Sequence, residues 1–142
     1  MREIKGNLWD FHKQGHWVAI TTNGVVRADG ACVMGRGVAL QAKRRFPRLP
    51  FELGDKINKE GNRVHLFPEY RIISFPVKHR WFERADIQLI EQSARGLACI
   101  LSGSDETVYL VRPGCGNGGL LWEVVKPVIA PILNDRFVIV QA

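Results

Sequence analysis

Apolar and polar residues follow two different periods along this chain. Trp17 to Thr22 is a short, nearly unbroken apolar run that stops at the turn pair Asn23-Gly24, which reads as a strand. Ile87, Ile90, Ala94, Leu97 and Leu101 recur at spacings of three and four, so one apolar stripe predicts a helix over about 83–101. Residues 107–111 form a second unbroken apolar strand, of the kind covered on both faces. Weaker signals place strands at 2–5, 64–67, 71–77 and 137–140, the middle two around the turn Pro68-Glu69. A helix is expected from Gly37 to Phe46, stopped by Pro47, with Val38, Ala42 and Phe46 on one side and basic residues opposite. Two further helices are expected: a short one at 51–58, weakened by Gly54, and one at 120–133, interrupted near Pro127 or Pro131. Strands alternating with helices mean an α/β domain, a parallel or mixed sheet covered by helices. In such sheets ligands bind beyond the carboxyl ends of the strands.

Composition narrows the class. At 142 residues, 46% hydrophobic and 24% charged, the chain fits a single domain spanning 1–142. A chain of this length buries roughly 68–70% of its unfolded surface, so its core needs neither disulfide nor metal. No apolar stretch reaches membrane-spanning length, and the amino terminus lacks a signal-peptide core. Cys32, Cys99 and Cys115 are odd in number and widely spaced, which suggests free thiols and a cytoplasmic protein.

Charge adds a direction. The net charge is +6, and all of the excess lies in residues 1–71, which hold 13 Lys/Arg against 7 Asp/Glu. Residues 30–51 carry Arg36, Lys43, Arg44, Arg45 and Arg48 with no acid among them. Such a patch favours a phosphate-bearing or polyanionic ligand, although a solvated helix face has the same composition.

Three strand ends carry the candidate chemistry. After Asn23 comes Cys32-Val33-Met34-Gly35-Arg36-Gly37-Val38-Ala39, two glycines leading into a helix whose free amides suit an anion. An ordinary glycine turn would look the same. The second is Pro113-Gly114-Cys115-Gly116-Asn117-Gly118-Gly119-Leu120, directly after a buried strand. It matches GxGxxG, but only one strand follows it, so a dinucleotide fold is rejected; a nucleotide P-loop fails because no Gly-Lys-Ser/Thr follows. A backbone cradle for a diphosphate survives. The third is Phe75-Pro76-Val77-Lys78-His79-Arg80-Trp81, where cationic neighbours would favour a neutral Lys78 amine, a nucleophile or proton carrier; by residue type alone Lys78 reads first as a surface lysine in a basic loop.

Other residues read as structural. His12, His16, His65 and His79 lack metal-ligand spacing, so no metal and no cofactor are expected. Cys115 reads as a small side chain fitting a tight loop before it reads as a thiolate. Trp81 and Trp122 read as packing residues before base-stacking ones.

Together these segments resemble the macrodomain family: Gly6-Asn7-Leu8, Asn23, Val33 to Gln41, Phe75 to Lys78 and Pro113 to Trp122, in the right order over nearly the whole chain. The likeness is greatest to the DarG-type branch, which removes ADP-ribose from thymidine bases in DNA and is related to terminal ADP-ribose protein glycohydrolase. The resemblance implies a three-layer αβα fold with a central mixed sheet of about six strands. It implies an ADP-ribose cleft lined by Asn7, Leu8, Val33, Met34, Gly35, Arg36, Gly37 and Val38 and by Pro113, Gly114, Cys115, Gly116, Asn117, Gly118, Gly119 and Leu120. Lys78 matches the family's catalytic lysine, acting on the anomeric carbon of an opened ribose or on the proton of the leaving base. Asn23 would orient the ribose hydroxyls. Asn7 stands where many macrodomains place an adenine-binding aspartate. Gly118 stands where the protein-directed relative has a catalytic aspartate, which favours a DNA substrate.

The expected protein is therefore a monomeric ADP-ribosyl glycohydrolase acting on single-stranded DNA, with Arg36, Lys43 and Arg44 as a nucleic-acid patch and no membrane association. Its single domain suits a stand-alone hydrolase or isolated domain better than a complete antitoxin. A non-catalytic ADP-ribose reader, a hydrolase of protein-linked ADP-ribose and an ADP-ribose phosphate phosphatase are the alternatives.

Overall fold

Alternation along one strand builds both halves of the core. In the computed structural model, which describes residues 1–142, the strand β2 (Trp17–Thr22) turns Trp17 and Ala19 to one face of the sheet and Val18 and Ile20 to the other. Side chains of a strand point alternately to its two faces, so a strand apolar at every position must be covered twice.

In chain order the remaining elements are β1 (Arg2–Lys5), α1 (Leu8–Lys13), α2 (Gly37–Arg45), α3 (Leu49–Glu60), β3 (His65–Phe67), β4 (Ile72–Pro76), α4 (Ile87–Cys99), β5 (Val108–Leu110), α5 (Trp122–Ile129) and β6 (Phe137–Gln141). The strands form one six-stranded sheet in the order β1-β6-β5-β2-β4-β3. Every neighbouring pair is parallel except β3–β4, which makes the sheet mixed. Ile90, Ala94 and Leu97 of α4 and Val125 and Ile129 of α5 pack on one face with Trp17, Phe75, Leu110 and Phe137. Leu8 and Trp9 of α1, Ala39 and Ala42 of α2, and Leu49 and Leu53 of α3 pack on the other with Val18, Ile20 and Ile72. This is the expected three-layer αβα arrangement.

Local departures from the sequence expectation have local causes. The helix α1 was not foreseen; Asn7 caps it, its side chain accepting from Trp9 N at 2.9 Å. The helix α4 begins four residues later than expected, at the first residue of its apolar stripe, because Asp86 caps it by accepting from Gln88 N at 2.9 Å. Residues 83–85 belong instead to the preceding loop. The helix α3 runs through Gly54 to Glu60. Gly54 is a point of close approach, since a Cβ there would lie 2.0 Å from Gly30 O. The helix α5 is shorter than expected, 122–129, and ends before Pro131.

The parallel strands β2, β4 and β5 are adjacent, so their carboxyl ends share one edge of the sheet. The loops 23–36, 77–86 and 111–121 leave from that edge.

Candidate functional site

These three loops enclose a cleft of about 720 Å³, within the range of small-ligand sites. Its walls include Asn23, Val33, Met34, Gly35, Arg36, Gly37 and Val38 from the first loop, Lys78 from the second, and Gly114, Gly116, Asn117 and Gly118 from the third. The three segments singled out in the sequence therefore meet at one place.

The first wall is a hairpin leading into α2. Asp29 accepts from Ala31 N, Arg27 N donates to Ala31 O, and Val33 N donates to Val25 O, which folds residues 25–33 back on themselves. Asn23 fastens this excursion: its Nδ2 donates to Val33 O at 2.9 Å and its Oδ1 accepts from Val25 N at 3.0 Å. One amide N–H and one oxygen lone pair of Asn23 remain for a ligand. The excursion delivers the chain to α2 at the cleft rim, where Arg36 occupies the cap position without any side-chain cap. The first-turn amides of α2 lack intrahelical acceptors, and the helix dipole adds partial positive charge there.

The glycine loop forms the opposite wall. The amides of Gly116, Asn117 and Gly118 have no acceptor within the protein. The loop is held compact by Leu120 N to Gly114 O at 2.9 Å and Ala85 N to Gly118 O at 2.9 Å. A Cβ on Gly118 would lie 2.5 Å from Gly114 O and 2.8 Å from Ala85 Cβ, so only glycine fits. Across the cleft, a Cβ on Gly37 would lie 3.5 Å from Asn117 Nδ2. Two sets of unoccupied backbone donors thus face one space, a chemistry suited to a diphosphate.

Lys78 sits between these walls. Its Nζ donates to Trp81 O at 3.2 Å and to Asn117 O at 3.3 Å, and Asn62 Nδ2 donates to its carbonyl oxygen at 3.1 Å. Burial, and then the Arg36 guanidinium, hold its pKa below the ordinary lysine value. The sequence points to His79 and Arg80 as the relevant cations. His79 instead pairs with Asp86 at 2.8 Å, and the cation acting on Lys78 comes from the first loop.

Six residues of the expected site do not line the cleft. Asn7 caps α1, Leu8 and Pro113 are buried, and Leu120 packs against the core. Gly119 shapes the loop through Gly119 N to Gly116 O at 3.1 Å. The Cys115 thiol donates to Pro113 O at 3.5 Å, and burial pushes its pKa up against the pull of Arg112, which leaves it a poor nucleophile. Lys43 and Arg44 are exposed near the far end of α2, about 10–12 Å along the helix from Arg36. They lie apart from the cleft, while Arg36 lines it.

Conversely, Thr21, Thr22, Val25, Arg27, Ala39, Val77, Trp81, Val111 and Arg112 line the cleft without having been assigned there. The hairpin that brings Arg27 in carried a readable signal, Asp29-Gly30 between two apolar pairs. Trp81 is expected from the sequence to pack, yet its side chain is half exposed at the rim. Trp122 does pack, with its indole donating to Glu3 at 2.9 Å. The three cysteines are all unpaired, and no helix is long and apolar enough to cross a membrane.

No protein-family model matches the chain. A DNA ADP-ribosyl glycohydrolase of Thermus aquaticus is 30% identical over 94% of the chain, which spans 38% of that protein's length. The solved macrodomain of Thermus aquaticus DarG superposes with a TM-score of 0.76 at 30% identity, covering 99% of this chain and 97% of that one. Thermosipho africanus DarTG in complex with ADP-ribose superposes with a TM-score of 0.78 at 21% identity, covering 98% of this chain and 41% of that one. Near-complete mutual coverage at 30% identity with the Thermus aquaticus DarG macrodomain makes this chain a member of the macrodomain family, similar to its DarG-type members.

Proposed function

We propose that this domain binds ADP-ribose and removes it from a nucleobase of single-stranded DNA, with thymidine the favoured acceptor. The observation that carries the reading is Lys78 Nζ, held between Trp81 O and Asn117 O beside two facing sets of free backbone amides. The amides of the α2 start and of Gly116 to Gly118 take the diphosphate. Arg36 and Arg27, which have no carboxylate partner, add charge to that end of the cleft. Asn23 braces the first wall and offers its remaining polar valences to the distal ribose.

With the diphosphate fixed, the anomeric carbon is presented to Lys78, and such alignment supplies up to about 7–11 kcal/mol of barrier lowering. Both N–H bonds of a neutral Lys78 amine are taken by the two carbonyls, so its lone pair is the remaining valence. As the ribose ring opens, its oxygen takes a proton and the amine adds at the anomeric carbon. The base departs with a proton, and water hydrolyses the resulting imine to return free amine and ADP-ribose. The relatives' activity on DNA ADP-ribose and the chain's charge of +6 support a DNA acceptor.

The test is a single-stranded oligonucleotide carrying ADP-ribose on one thymine, incubated with wild type and with Lys78→Ala. Removal by wild type alone is expected. Equal removal by both would discard Lys78, and binding of ADP-ribose without removal by either would make the domain a reader.

A further inference from the structure

Two large aromatic rings are exposed beside the cleft: Trp81 at 49% and Phe82 at 64%. They occupy the two central positions of a turn closed by Glu83 N to Arg80 O at 3.1 Å, with the Glu83 carboxylate accepting from Arg80 N at 3.0 Å. The rings meet edge to face, with centroids 5.4 Å apart.

The turn is fastened on every side. Lys78 Nζ donates to Trp81 O, His79 pairs with Asp86, Gly24 N donates to His79 O, and Arg84 Nη2 donates to Gly119 O at 3.0 Å. The segment is well tied, yet it leaves Trp81 half exposed at the cleft rim and Phe82 mostly exposed, an apolar surface open to solvent. The charges around it are mainly cationic: Lys78, Arg80 and Arg84 against Glu83 and Asp86, the latter already paired with His79.

We propose that Trp81 and Phe82 form a stacking platform for bases of single-stranded DNA, either the modified base or its immediate neighbour. This rests on the DNA-directed reading above. Aromatic faces accept any base, and flanking cations accept the phosphates between them, the combination used for single strands. Placement agrees with the chemistry. Trp81 O lies 3.2 Å from Lys78 Nζ, so the platform adjoins the point where the acceptor leaves the ribose. A neutral peptide would leave the cations Lys78, Arg80 and Arg84 unmatched.

The experiment compares wild type with Phe82→Ala and with Trp81→Ala/Phe82→Ala. Anisotropy would follow a labelled, unmodified single-stranded oligonucleotide; calorimetry would follow free ADP-ribose; initial rates would follow the ADP-ribosylated oligonucleotide and an ADP-ribosylated protein. Phe82 does not line the cleft, so Phe82→Ala should keep ADP-ribose affinity within about twofold. Loss of one stacked base should weaken oligonucleotide binding about five- to hundredfold, with a matching rise in KM for the modified strand. Unchanged oligonucleotide affinity in the double variant, or no binding by wild type, would overturn the platform. Loss confined to the protein-linked substrate would also overturn it and assign the surface to a peptide. Oligonucleotide binding lost in the variants, with no release of ADP-ribose by wild type, would keep the platform and overturn the glycohydrolase.

Discussion

Lys78 and Asn117 are joined across the cleft: the lysine amine in the loop after β4 donates to the asparagine carbonyl in the loop after β5 at 3.3 Å. A residue expected to react is thereby positioned by the loop expected to hold the diphosphate. In the proposed mechanism, binding and chemistry share one piece of backbone.

Replacing Lys78 by alanine removes the amine and leaves the backbone donors. Release of ADP-ribose should fall by about 10²–10⁴-fold while ADP-ribose still binds. Single-turnover assays paired with calorimetry would show the split; loss of binding in step with activity would contradict it.

Trapping the same amine tests its role directly. Borohydride added during turnover should leave ADP-ribose attached to Lys78, detectable by mass at the peptide containing it. Unimpaired turnover without any adduct would make Lys78 a proton carrier and not a nucleophile.

The pH profile should respond to Arg36. In the proposed mechanism Lys78 reacts as the neutral amine, so the rate should rise with pH and level off above the amine's pKa. Burial and the Arg36 cation both lower that pKa. In Arg36→Gln the burial contribution persists and the charge contribution vanishes, so the pKa rises. The rising limb of kcat, measured at saturating substrate, should move to higher pH. An unmoved limb would mean that Arg36 does not act on Lys78.

Two glycines in one loop should behave differently. Gly118→Ala forces a methyl to within 2.5 Å of Gly114 O, while Gly116→Ala meets nothing within 4 Å. Overpacking of this kind costs about 1–3 kcal/mol. Thermal melts should therefore show Gly118→Ala destabilised and Gly116→Ala near wild type. ADP-ribose affinity of Gly118→Ala should fall about tenfold or more, because the free amides move.

Gly54→Ala should act far from the chemistry. Its methyl would meet Gly30 O at 2.0 Å, and Cys32 N already bonds Pro50 O at 2.9 Å in the same contact between α3 and the hairpin. The expected cost is about 1–3 kcal/mol, a drop in Tm of roughly 3–10 °C by circular dichroism. Weakened ADP-ribose binding should accompany it, since the hairpin forms the first wall.

The elements of the sheet were legible because strands covered on both faces are apolar at every position, as in Trp17 to Ile20, and a long amphipathic helix such as α4 carries its stripe openly. Short elements were not. The six-residue α1 depends on one cap and two buried side chains, too little for a period to show.

By itself, the sequence determined the α/β class, the two glycine loops and Lys78, since backbone freedom and an amine are properties of residue types. Only the tertiary structure decided which cation faces Lys78, that Cys115 and Asn7 lie off the cleft, that Arg27 enters it, and that Trp81 and Phe82 stay exposed. Each of these depends on which loops meet at the sheet's carboxyl edge. Strand order sets that, through contacts between residues far apart in the chain, and no local pattern records it.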